Sequence, residues 1–103
     1  MIGYDIDGVL DSGFEPTGDF VIISGRTFAE YDNLCRRLAQ LAPLYIRGVG
    51  EFGDRQAAGE FKALMINHLG VTVFYEDDKI QADIICKLCP RTVVNIVSPP
   101  KPR

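Results

Sequence analysis

The sequence predicts an α/β domain, a three-layer sandwich in which a five-stranded, mainly parallel sheet lies between layers of helix. Short runs rich in Ile, Val, Phe and Tyr alternate with longer stretches of helical periodicity, the pattern of repeated βα units. Runs such as "FVIIS" and "VVNIV" are apolar almost throughout instead of alternating, as expected of strands covered on both faces. A chain of 103 residues is long enough for one core but too short for a core plus a separate substrate-binding domain. The expectation is a single domain over 1–98. A flexible tail at 99–103 would follow, too rich in proline and charge to pack.

Strands are expected near 2–6, 20–24, 44–48, 72–76 and 92–97. After the second of these, "GRTFAEYDNLCRRLAQLAP" reads as one helix. Thr27 and Glu30 have capping-box spacing, while Phe28, Tyr31, Leu34, Cys35, Leu38 and Leu41 or Ala42 recur on one face, and Pro43 is the stop. The stretch "RGVGEFGDRQAAG" reads as a glycine-rich loop whose latter half, from Asp54, is open to a helical reading. Phe61, Leu64, Met65 and Leu69 mark the apolar stripe of a second helix ended by Gly70, and a third runs near 79–89 up to Pro90.

A net charge of -3 leaves no electrostatic footprint for duplex nucleic acid. No apolar run approaches the roughly 20 residues that span a bilayer. The N-terminal stretch has neither a basic region nor a small-residue cleavage site, so a cytoplasmic location is expected. Cys35, Cys86 and Cys89 form an odd set in a chain with apolar residues enough for a core, and read as reduced, small apolar residues. "CKLC" has metal-ligand spacing, but neither Cys35 nor the single His68 supplies the second pair that zinc needs.

In an open parallel sheet, ligands bind beyond the carboxyl ends of the strands. Asp5 and Asp7 close the first strand, Ser24 the second, and Glu76, Asp77 and Asp78 the fourth. Residues two apart on a strand point the same way, so Asp5 and Asp7 are expected to face one site while Gly8 turns the backbone away. Several carboxylates gathered there need a counter-charge, and with only oxygen ligands on offer that charge is expected to be magnesium. Ser24 can donate its hydroxyl to a phosphoryl oxygen, and "SGRT" leads into an expected helix N-terminus that favours an anion. Lys62 adds a positive charge. The constellation predicts phosphoryl transfer.

"DIDGVL", "VIISGRT", Lys62 in "GEFKALM", and "VFYEDD" resemble, in this order, the four motifs of the haloacid dehalogenase superfamily of phosphohydrolases, over nearly the whole chain. The resemblance implies a Rossmann-like core of that type without a cap domain, because only "DSGFEPTGD" separates the first two strands. The family's squiggle and flap would be shortened, with Phe14 and Pro16 near the tip. It implies a magnesium-dependent phosphatase in which Asp5 is the nucleophile that forms an aspartyl phosphate. Asp7 would be the general acid and then the base. Ser24, Gly25 and Lys62 would bind the phosphoryl group. The metal site would use Asp5 and the backbone carbonyl of Asp7, completed by Asp77 or Asp78, with Asp77 favoured.

A capless member implies a bulky or macromolecular phosphorylated substrate, or a homo-oligomer in which a neighbouring subunit supplies the lid. Arg26, Arg47 and Arg55 are candidates to rim such a site and contact additional phosphates. The alternative is a catalytically silent binding or regulatory module of the same fold.

Overall fold

Among the described residues five strands and three α-helices follow one another, alternating from β2 onward: β1 (Ile2–Tyr4), β2 (Phe20–Thr27), α1 (Asn33–Leu41), β3 (Leu44–Gly48), α2 (Arg55–Leu69), β4 (Val73–Glu76), α3 (Lys79–Leu88) and β5 (Val93–Ile96). The computed structural model describes residues 1–98, and the tail expected at 99–103 lies outside them. Every strand pairing is parallel and the order across the sheet is β3-β2-β1-β4-β5, a doubly wound arrangement.

The apolar strands divide their side chains between two cores. Val21 and Ile23 of β2 and Phe74 of β4 pack with Ala63 and Ile66 of α2 and Ile85 of α3. Ile22, the residue between, faces the other way with Ile6 and with Cys35, Leu34 and Leu38 of α1. The third layer is completed where α1 does not reach by stacking of Tyr4 on Tyr75 at 4.9 Å, with Phe14 from the β1–β2 loop 5.0 Å from Tyr75. Burying an Ile or Phe fully contributes roughly 1.5–3 kcal/mol, and Ile6, Ile22, Ile23, Ile66, Phe74 and Ile85 are all essentially closed to solvent. The expected cover fails at β5, an edge strand whose Val93 and Ile96 are 59% and 53% exposed.

Two helices depart from their predicted form. β2 runs on to Thr27 because, after a register shift, Thr27 still pairs with Gly48 of β3. Thr27 and Glu30 do meet, the Thr27 N–H and hydroxyl both donating to Glu30 Oε1 at 3.0 and 2.9 Å. They close only a single 3-10 turn over Phe28–Glu30. α1 starts afresh behind Asp32, whose Oδ1 accepts the Cys35 N–H at 3.0 Å. Phe28 is consequently exposed, and of Leu41 and Ala42 it is Ala42 that packs on the core behind α1.

On α2 the expected stripe holds for Phe61, Met65 and Leu69, which pack at the margin of the core, and fails at Leu64. Leu64 is 66% exposed, and the face against the sheet and α3 carries Ala58, Gly59, Lys62, Ala63 and Ile66. Small residues allow a close approach: a Cβ on Gly25 of β2 would lie 2.6 Å from the Ala58 Cβ. Asp54 caps the start of α2 by accepting the Ala57 N–H at 3.0 Å, and Gly70 ends it with φ +74°. Among the described residues no helix is long and apolar enough to cross a membrane. Cys35 and Cys89 are buried, Cys86 is exposed, and all three are free thiols.

Candidate active site

The strand order locates the crevice. From β1 the chain passes to β2 and β3 on one side and then crosses to β4 and β5 on the other, so the loops after β1 and β4 diverge at a switch point, the place where such sheets bind ligands. Asp5 follows β1 there, and Glu76 and Asp77 stand at the end of β4.

Asp5 remains extended (φ -77°, ψ 161°) and its N–H donates to the Tyr75 carbonyl at 3.1 Å, prolonging the pairing with β4. Its side chain is buried. Oδ1 accepts the Ile6 N–H at 2.8 Å, and Oδ2 lies 3.2 Å from Lys62 Nζ. Lys62 also donates to Glu76 Oε2 at 2.7 Å. Lysine reaches this interior because Ala58, Lys62 and Ile66, four residues apart, share the face of α2 that packs on the sheet.

Carboxylate oxygens of Asp5, Glu76 and Asp77 lie within 4.8 Å of one another. Gly8 makes room for this, since its φ of +77° suits glycine and a Cβ there would collide with the Asp77 carboxylate. Three carboxylates thus face one ammonium. Burial pushes the Asp5 carboxyl well above the usual range; the Lys62 charge offsets this in part and Glu76 adds to it. Burial, and then the charge of Glu76, push Asp77 up to about 6. Burial opposes the charge on Lys62, but Asp5 and Glu76 outweigh it and hold the ammonium above its ordinary pKa.

A carboxyl whose folded pKa is raised binds protons more tightly in the native state, so the stability it contributes is complete below the unfolded value and is lost as pH rises through the folded one. For Asp77 that window runs from about 4 to about 6. In the metal-free protein, Asp77→Asn is expected to gain stability relative to wild type as pH rises from 4 to 7. Urea midpoints measured across that range check it, and a constant difference between the two proteins contradicts it.

Asp7 does not join Asp5. β1 ends at Tyr4 and Asp7 lies in a wide turn over Ile6–Leu10, where strand alternation no longer applies. The exposed Asp7 carboxylate instead forms a two-pronged pair with Arg26, at 2.8 Å from Nη2 and 3.1 Å from Nε. Arg26 is held in turn by Asp32 Oδ2 at 3.0 Å and the Glu30 carbonyl at 3.3 Å. The hydrogen bond from Asp7 raises the Arg26 pKa further above its ordinary value.

Of the two aspartates left open by "EDD", Asp77 is the one brought to Asp5. Asp78 caps α3, accepting the Ile80 N–H at 3.1 Å, and stands outside the acidic group. Ser24 is fully buried at the site edge and its Oγ accepts the Arg26 N–H at 3.1 Å. The helix N-terminus expected after "SGRT" is not there, since these residues stay in β2. Glu76 is the site residue the spacing argument left without a role. Its signal was period two: it shares a face of β4 with the fully buried Phe74.

Beside this centre opens a cleft of about 220 Å³ lined by the acidic Asp7, Glu30 and Asp54 and the basic Arg26, Arg47 and Arg55, among others. The three arginines expected to rim the site all line it. Fold and site together define a doubly wound α/β protein with a buried lysine–carboxylate centre at its switch point. No protein-family model, curated protein or solved structure matches this chain.

Proposed function

We propose that the protein is a magnesium-dependent phosphohydrolase of the haloacid dehalogenase type, capless, acting through Asp5 on a bulky phosphate ester. The observation that carries this reading is the Asp5–Lys62–Glu76–Asp77 centre at the carboxyl ends of β1 and β4. The wide turn over Ile6–Leu10, with the Asp11 N–H donating to the Ile6 carbonyl at 3.1 Å, supports it as a shortened squiggle, and the loop carrying Phe14 as a shortened flap.

The donor set fits magnesium: the oxygens are hard, they converge, and one ammonium does not neutralise three carboxylates. Asp5, Glu76 and Asp77 would hold the ion, which would screen negative charge at the phosphoryl group. Asp5 supplies the nucleophilic oxygen; its bond to phosphorus forms as the ester P–O bond breaks, and Asp7 protonates the leaving oxygen. Asp7 then takes a proton from water, whose attack on phosphorus releases phosphate and restores Asp5. Lys62 and Ser24 stabilise the phosphoryl oxygens, and Asp7 must open its two-pronged pair with Arg26 to carry the proton. A second copy of the chain would serve as a lid over the open cleft.

Two observations favour a second reading, a binding module without turnover: Asp5 is only 2% exposed, and Asp7 is fully engaged by Arg26. Magnesium with beryllium fluoride, which mimics an aspartyl phosphate, separates the two. At about 100 times its dissociation constant it should raise the wild-type melting midpoint by roughly 10–20 °C. The shift should vanish in Asp5→Asn. No shift in wild type removes the phosphohydrolase reading.

A further inference from the structure

We propose that Arg47 reads a second phosphate on the ligand, so that the substrate class is a phosphate ester carrying another phosphate group. This rests on the phosphohydrolase reading and sharpens it. The three arginines of the cleft differ in what they already hold. Arg26 is neutralised by Asp7 and Asp32. Arg55 reaches out from a largely exposed position to Asp78 Oδ2 at 3.5 Å. Arg47 has no carboxylate partner among the described residues.

The Arg47 guanidinium is nonetheless fixed. Its Nε–H donates to the Gly25 carbonyl at 3.1 Å and its Nη2 to the Glu51 carbonyl at 2.8 Å. The loop is shaped around it, for Gly50 has φ +136° and a Cβ there would collide with the guanidinium. Two neutral acceptors orient the fork without cancelling its charge, and a half-buried charge in that state gains most from an anion brought by the ligand. A guanidinium fork matches phosphate through two parallel hydrogen bonds. Asp7 and Gly25 line the same cleft, so a molecule whose ester sits beside them can reach Arg47 with its second phosphate.

The test is calorimetric titration of the full chain in magnesium with propylphosphonate and with a series of alkane bisphosphonates of two to six carbons, whose C–P bonds resist hydrolysis. Wild type should bind at least one bisphosphonate roughly 10- to 100-fold more tightly than the monophosphonate. Arg47→Met should erase that preference without weakening the monophosphonate, and Arg55→Gln should keep it. Should Arg47→Met fail to fold, Arg47→Lys carries the test, since it keeps the charge, loses the fork and should lose most of the preference. Equal affinities across the series in wild type, or a preference that survives in the Arg47 variants, overturn the proposal. A protein that discriminates through Arg47 but gives no beryllium fluoride shift keeps this assignment and loses the phosphohydrolase reading.

Discussion

Lys62→Met is expected to lower the unfolding free energy by about 3–5 kcal/mol, because it removes the only cation that, among the described residues, pairs with a buried group of anions. Methionine fills the same channel between α2 and the sheet, so lost packing contributes little. What remains is Asp5 and Glu76, 2% and 0% exposed, with no positive charge beside them. For a domain whose total stability is of order 5–15 kcal/mol, that is a large share, equivalent to a fall of tens of degrees in melting midpoint. Urea unfolding gives the measurement, with the midpoint falling and the slope unchanged. Glu76→Gln added to Lys62→Met should recover part of the loss, since it withdraws one of the stranded charges. A loss under 1 kcal/mol in Lys62→Met would mean that no ion pair holds the centre.

The residues that build this centre were legible to different degrees. Asp5 and Asp77 could be placed because each follows an apolar run, and a parallel sheet sends all such ends to one edge. Lys62 was visible as a positive charge, but its burial was not. Read at intervals of four, Ala58, Lys62 and Ile66 form the centre of the buried face, whereas the bulkier Phe61 and Met65, which pack at its margin, and the exposed Leu64 draw attention to one side of it. The tight contact of Gly25 with Ala58, a tertiary fact, centres the helix on its small residues. Asp7 was misplaced by extending strand alternation two residues too far, past the point where the chain enters a wide turn. The start of α1 was misread because a capping box looks the same whether it opens a helix or a single 3-10 turn; Asp32 caps the real one.

Asp5→Asn is expected to move activity and stability in opposite directions. Turnover should fall by about 10⁴-fold or more, as when a covalent nucleophile is removed from an otherwise intact site. Stability of the metal-free protein at pH 7 should rise. The folded state disfavours the ionised Asp5, its pKa standing well above the usual carboxylate value because of burial, so above that ordinary value its charge subtracts from stability. Asparagine keeps an oxygen to accept the Ile6 N–H and Lys62 keeps its 2.7 Å contact with Glu76, while the new amide N–H groups, which replace the oxygen 3.2 Å from the ammonium, must turn to the neighbouring Glu76 carboxylate. This is the asymmetry with Lys62→Met: one substitution removes the sole cation, the other removes one of three anions. Magnesium should reverse the ranking, since the wild type gains more from a cation than the variant with fewer charges to hold it. Melting midpoints titrated against magnesium should therefore cross, the variant leading at zero metal and the wild type at saturation. If Asp5→Asn is the less stable protein even without metal, the Asp5–Lys62 pair outweighs the crowding of the carboxylates, and the site is a structural ion pair instead of a strained centre poised for a cation.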